Sequence, residues 1–207
     1  MSDLRTTART LRDLVEPIAA AVYFAPEAHQ RYEALGPQGF GPGYFCSRGA
    51  CLGTAPWTVI NAAFGVFNPA IVEPAVNAGW AVTTAEPLLE AREAGATEQL
   101  QRLLGDANDD VRRATDILRD ITDGVDGAGR MLFSGLRVLP WPDTAWGSLW
   151  RAADLVREHR GDGHIAAWIP HVDSVEINLL GELWWRQPLL KYSRTRGWSQ
   201  EELEAAL

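Results

Sequence analysis

The stretch DTAWGSLWRAADLVREHRGDGHIAA, residues 143–167, decides the fold class. Trp146, Leu149, Trp150, Ala153 and Val156 recur at steps of three and four, which places them on one face of an amphipathic helix. Asp143 is the predicted N-cap. Gly161 is the predicted stop, with Asp162 opening the next helix, because glycine favours helix ends and aspartate favours helix starts.

The same periodicity extends outward from this segment. Leu11, Leu14, Val15, Ile18 and Val22 stripe a first helix from about Leu4 to Val22, and Pro26 suits the first turn of a second that runs through Leu35. GPQGFGPG, residues 36–43, reads as a loop, lid or wing. Helices are predicted from Pro56 to Phe64, from the Asn68–Pro69 cap onward, from Ala85 to Leu104 behind Thr84, and from about Asp109 to Thr122. Asp173 with Glu176, and Ser199 with Glu202, have capping-box spacing. Alternating strand patterns are scarce, and the one predicted β-hairpin lies near Leu189 to Arg196. A joint at Gly105 to Asn108 divides the chain into an N-terminal unit, 1–105, and a C-terminal unit, 106–207; GVDGAG, residues 124–129, is a weaker joint.

Composition bounds the function. The chain has 207 residues, 46% of them apolar and 22% charged, which is enough apolar material for a packed core. No apolar run approaches the roughly 20 residues that span a bilayer, and no secretory leader pattern is present, so a cytoplasmic protein without a membrane partner is expected. Cys46 and Cys51 would lie roughly 140° apart around a helix, so free thiols are expected rather than a disulfide framework or a metal site. A net charge of −8 opposes the phosphate neutralisation on which nucleic-acid binding depends. Arg5, Arg9 and Arg12, and Lys191, Arg194 and Arg196, form no long basic run.

From Tyr23 onward the chain resembles a family of actinobacterial helix-turn-helix proteins related to the MarR-type winged-helix regulators. The likeness is carried by VYFAPEA at 22–28, YFCSRGACLG at 44–53, FNPAIV at 67–72, LPWPD at 139–143, LVREHRGDGHIAA at 155–167 and RGWSQEELEAAL at 196–207. REHRGDGH is its most specific part. The resemblance implies a mainly α fold with little β: a tandem winged-helix-like pseudo-dimer in one chain, with the C-terminal part of the second winged helix missing. DNA reading by a recognition helix is then expected to be lost.

Three groups of residues are candidates for a site. His159, Asp162 and His164 have the chemistry of an acid/base set, since a carboxylate that hydrogen-bonds an imidazole fixes its tautomer and raises its basicity; the alternative is that Asp162 caps a helix and the histidines bond to backbone. Arg48 sits in an apolar segment and requires a partner, either a ligand carboxylate or phosphate or a protein acid such as Asp162 or one on the first helix. Arg48, Tyr44, Asn68 and Arg160 are the predicted ligand-binding residues. Nine tryptophans, seven of them in the second half at 141, 146, 150, 168, 184, 185 and 198, serve the core, and a subset can wall an apolar cavity. Phosphate loops, nucleophile elbows and paired metal-binding histidines are absent, so no metal site is predicted and no cofactor is assigned.

The function expected first is binding of a small hydrophobic or acidic molecule between the two units. Acid/base, cyclisation or rearrangement catalysis in the same pocket on a hydrophobic, natural-product-like substrate is second, and transcriptional regulation third. The expected assembly is a monomer or a homodimer.

Overall fold

In a computed structural model the described residues are 3–184 and 186–206, without the side chain of Tyr192. Their α-helices, joined by turns, loops and short 3-10 segments, run in the order α1 (Leu4–Ala19), α2 (Pro26–Ala34), α3 (Phe40–Gly49), α4 (Trp57–Phe64), α5 (Pro69–Trp80), α6 (Ala85–Leu104), α7 (Asp109–Asp123), α8 (Met131–Arg137), α9 (Ala145–Trp168), α10 (Ser174–Trp184), α11 (Lys191–Thr195) and α12 (Gln200–Ala205). Among them no helix is long and apolar enough to cross a membrane.

Helix α9 is the axis of the molecule. It packs on α1, α4, α6, α7 and α8, and Trp146, Leu149, Trp150, Ala152 and Ala153 are buried in the main core. Its start is capped by Thr144, whose hydroxyl accepts from the Gly147 N–H at 3.1 Å, and not by the expected Asp143.

Nor does the helix stop at Gly161. It continues through both glycines to Trp168. Gly163 lets another group approach: a Cβ there would lie 1.5 Å from Nη1 of Arg130, and that nitrogen donates to the carbonyl of His159 at 2.6 Å. Gly161, read as the terminator, is thus interior to the helix, and Gly163 two residues on is a seat for a guanidinium on the helix backbone. Asp162 does cap a helix, but one remote in sequence. Its Oδ2 accepts from the N–H of Phe133, in the first turn of α8, at 2.9 Å.

Two further expectations change. Residues 36–43 are not all loop, because α3 begins at Phe40 after Gly39, which has φ 75°. Pro42 fits there because first-turn amides have no partner within the helix to lose. The segment expected as a β-hairpin forms α11. Its N-terminal amides are met by the buried carboxylate of Glu182, which accepts from the N–H groups of Leu190 at 2.7 Å and Ser193 at 2.8 Å. No strand occurs among the described residues, so neither this hairpin nor the β-wings of a winged helix are present there.

The side-chain caps at Asn68 and Ser199, and the reciprocal hydrogen bonds of Asp173 and Glu176, form where their spacing places them. Thr84 makes no such cap. The Ala85 N–H donates instead to Thr54 Oγ1 at 3.2 Å.

Candidate functional site

Residues four apart lie on one helix face. On α9 the residues at that spacing are Asp154, Glu158 and Asp162, all buried. A buried carboxylate is costly unless it is paired and hydrogen-bonded. Each of these is. Asp154 meets Arg92 at 3.1 Å, Asp162 receives the Phe133 amide, and Glu158 sits at the centre of the densest polar cluster.

Glu158 is gripped from several sides. Arg48 of α3 donates to it in bidentate fashion, Nε to Oε1 at 3.0 Å and Nη2 to Oε2 at 2.8 Å. Oε1 also accepts from Tyr23 Oη at 3.1 Å and Arg157 Nη1 at 2.9 Å. Arg157 extends the cluster, donating to the Tyr23 hydroxyl at 2.8 Å and to Glu16 of α1 at 3.0 Å. Arg160 meets the other Glu16 oxygen at 3.5 Å. The acid that satisfies Arg48 is thus Glu158, rather than Asp162 or an acid of the first helix.

Burial raises the Glu158 carboxyl, but Arg48 and Arg157 outweigh it and hold the group well below the usual carboxylate range. Burial also pushes the Tyr23 phenol well up, with Glu158 adding to the effect and Arg157 opposing it. Tyr44 goes the other way. Burial raises it, yet Arg48, Arg196 and Arg157 together bring it below an ordinary phenol.

Two cavities adjoin this cluster. The larger, about 770 Å³, is partly open and lined by Tyr23, Phe24, Phe40, Tyr44, Phe45 and Phe67, with Arg12, Arg157 and Arg196 among its polar groups. Its rings step inward from the surface. Exposed Phe24 stacks on Phe40 at 5.8 Å, Phe40 on Tyr44 at 5.2 Å, and Tyr44 leads to Phe45 and Phe67 at 5.2 and 5.9 Å. The smaller cavity, about 110 Å³, has Arg48, Arg160, Asp162 and His164 in its wall, and it shares Arg157 and Arg196 with the larger one.

The residues singled out from the sequence therefore separate. Tyr44 borders the large cavity, while Arg48, Arg160, Asp162 and His164 border the small one. His159 turns elsewhere, with its ring edge-on to Phe133 at 4.9 Å and Nε2 3.2 Å from the Asp126 carbonyl. Asn68 caps α5, accepting from the Ala70 N–H at 3.0 Å. Among the described residues no tryptophan lines the large cavity, whose aromatic groups are phenylalanines and tyrosines from the first half of the chain. Trp185 lies outside the described residues. The described residues contain no group of three or more histidines, cysteines, aspartates or glutamates able to hold a metal ion. Burial pushes the thiols of Cys46 and Cys51 up to about 12.

Glu16, Tyr23, Arg157, Glu158 and Arg196 were not among the predicted site residues. The acidic spacing at 154, 158 and 162 is a signal for the second carboxylate of that set, but it is visible only if α9 is read through its glycines.

A family model described as a helix-turn-helix family matches residues 8–207. The chain belongs to that helix-turn-helix family. No curated protein and no solved structure matches it. Membership accounts for a helical fold along almost the whole chain, and leaves the chemistry of the cavities to be argued from their residues.

Two measurements test the cluster. Glu158→Ala strands Arg48 and Arg157 in a buried place, so urea denaturation is expected to give a stability loss of about 3–5 kcal/mol; a loss below about 1 kcal/mol contradicts the pairing. Burial raises Asp162 to about 6, above its unfolded value near 4. Its contribution is full below about pH 4 and is lost as pH rises towards and through 6, where the folded state must bury a charge. Asp162→Asn retains an oxygen for the Phe133 amide without that charge. Relative to the wild type, its stability is expected to rise by roughly 1–3 kcal/mol between pH 4 and 7; a difference that does not change with pH excludes the assignment.

Proposed function

We propose that this helix-turn-helix family member is a small-molecule-binding protein, and that the occupant enters the cavity of about 770 Å³ stepped with aromatic rings. That cavity carries the reading. Its volume falls within the roughly 300–1,000 Å³ of ligand pockets, and its lining combines apolar rings with a few polar groups, as such pockets do. Phe24 at 77% and Phe40 at 49% exposure are large apolar groups left at its mouth, a feature expected where something else covers them.

The lining comes from α1, α3, α5 and the turn between α1 and α2 on one side, and from Arg157, Gln187, Thr195 and Arg196 on the other. We read this as a site between two units of winged-helix lineage, residues 1–105 and 106–207. DNA binding is read as lost. The net charge is −8, and several arginines already have acidic partners, among them Arg31 with Glu98, Arg102 with Glu27 and Arg112 with Asp109. Arg9 lies over Trp184, 4.8 Å from the ring centroid.

A second reading, catalysis, has one observation in its favour: Asp162, raised to about 6, borders the same small cavity as His164 and Arg160. Burial and Arg160 push the His164 imidazole down, favouring its neutral form. His164→Ala is then expected to abolish turnover of a bound compound with little change in melting temperature; turnover retained in that variant retires this reading.

For the binding reading, native mass spectrometry and thermal shift against a panel of hydrophobic acids are expected to give 1:1 complexes and raised melting temperatures. Ala20 lies in the cavity wall, so Ala20→Phe is expected to fill part of the space and weaken those complexes at least about tenfold while the free protein stays folded, given the cost of overfilling a packed site. No complex with any acid of the panel, or a gel shift with duplex DNA at low salt, contradicts the proposal.

A further inference from the structure

Arg196 stands apart from the other arginines of the site. Arg48, Arg157 and Arg160 each meet a carboxylate. Arg196 forms no ion pair among the described residues. Its Nε is buried without a hydrogen-bond partner, and its guanidinium lies over the Phe67 ring, 4.4 Å from the centroid. Burial and two neighbouring cations, Arg48 and Arg157, push its pKa down, and the Tyr44 phenol, a neutral hydrogen-bonding neighbour, opposes them only in part. A guanidinium held without a counter-charge beside two others is costly, and an anion would relieve that cost.

The position is informative too. Arg196 lines both cavities, at the inner end of the path of rings that starts at Phe24. An anion placed there would have Arg157 in the same wall and Phe67, Tyr44 and Phe40 beside the remainder of the molecule. Arg157 is already committed to Glu158 and Glu16, which leaves Arg196 as the group able to take a new acceptor pair.

Resting on the binding reading above, we infer that the occupant of the large cavity is a planar aromatic molecule carrying one negatively charged group, with that group received by Arg196 and the rings by Phe40, Tyr44 and Phe67. Planarity follows from the stacked pair Phe40 and Tyr44, whose rings are within 16° of parallel. The anion follows from a guanidinium that has no carboxylate partner and whose Nε has no acceptor, and which offers a forked pair of donors to a carboxylate-like group.

The test uses pyrene-1-carboxylate, its neutral amide pyrene-1-carboxamide, and decanoate, which has the charge without the rings. Binding to the full chain is followed by pyrene fluorescence and calorimetry. The wild type is expected to bind the carboxylate about ten- to a hundredfold more tightly than the amide, the range set by a charge-assisted hydrogen bond, and to bind decanoate more weakly than the carboxylate. Arg196→Met is expected to bind carboxylate and amide alike, with a melting temperature in the absence of ligand equal to or above the wild type, because a partly buried cation without a counter-charge has been removed. Arg196→Lys should keep part of the preference. Equal binding of acid and amide by the wild type, or a preference that survives in Arg196→Met, overturns the anion assignment and leaves the binding reading standing. Decanoate binding as tightly as the carboxylate overturns the aromatic part. Failure of all three probes to bind overturns the binding reading with it.

Discussion

Glu158 is the group on which the arrangement turns. Its carboxylate is almost fully buried, and taking such a charge from water costs several kcal/mol unless good geometry compensates. Compensation comes from three directions at once: Arg48 from α3, Tyr23 from the turn after α1, and Arg157 from α9 itself. To meet one carboxylate these elements must hold fixed positions, and that requirement orients the walls of both cavities. Asp154 with Arg92, and Asp162 with the α8 amide, repeat the device along the same helix face, tying α6 and α8 to α9.

This makes the interior polar along one line and apolar elsewhere. A hydrophobic substitute of the same shape often matches or exceeds a buried ion pair in stability, so the worth of this polar line lies in the positions that its hydrogen-bond geometry requires of Arg48, Tyr23 and Arg157. A cavity depends on definition, because open space in a core survives only where its walls cannot collapse. The Arg48 guanidinium also lies 4.5 Å from the centroid of Phe64, so the cation is braced by an aromatic face as well as by its carboxylate.

Much of the helical pattern was legible, since apolar stripes and caps are local signals. The Asn68 cap and the Ser199–Glu202 box depend on residues within a turn or two, whereas the stripe from Leu11 to Val22 marked the first helix but not its face or end: Val15 and Val22 are buried, Leu11 and Leu14 are exposed, and α1 ends at Ala19. What was not legible depended on distant partners. Gly161 reads locally as a stop, but the chain there is held helical by packing, and the missing Cβ of Gly163 admits Arg130 from another segment. Residues 189–196 look extended until Glu182 supplies a buried carboxylate to their amides. For the site, Arg48 drew notice because a cation in an apolar run demands an explanation, whereas its partner 110 residues away carried no local mark. Tyr44 was reachable from its place beside Arg48. Arg196 was not, because it reads as one member of an ordinary surface-charged segment.

The most direct measurement of the account is a crystal structure of the full chain grown with pyrene-1-carboxylate. The account predicts the pyrene rings inside the aromatic cavity against Phe40 and Tyr44, and the carboxylate within hydrogen-bond distance of Arg196, with the Arg48–Glu158 pair unchanged. Rings seated outside that cavity, or a carboxylate turned to solvent with Arg196 still without an anionic partner, would contradict it.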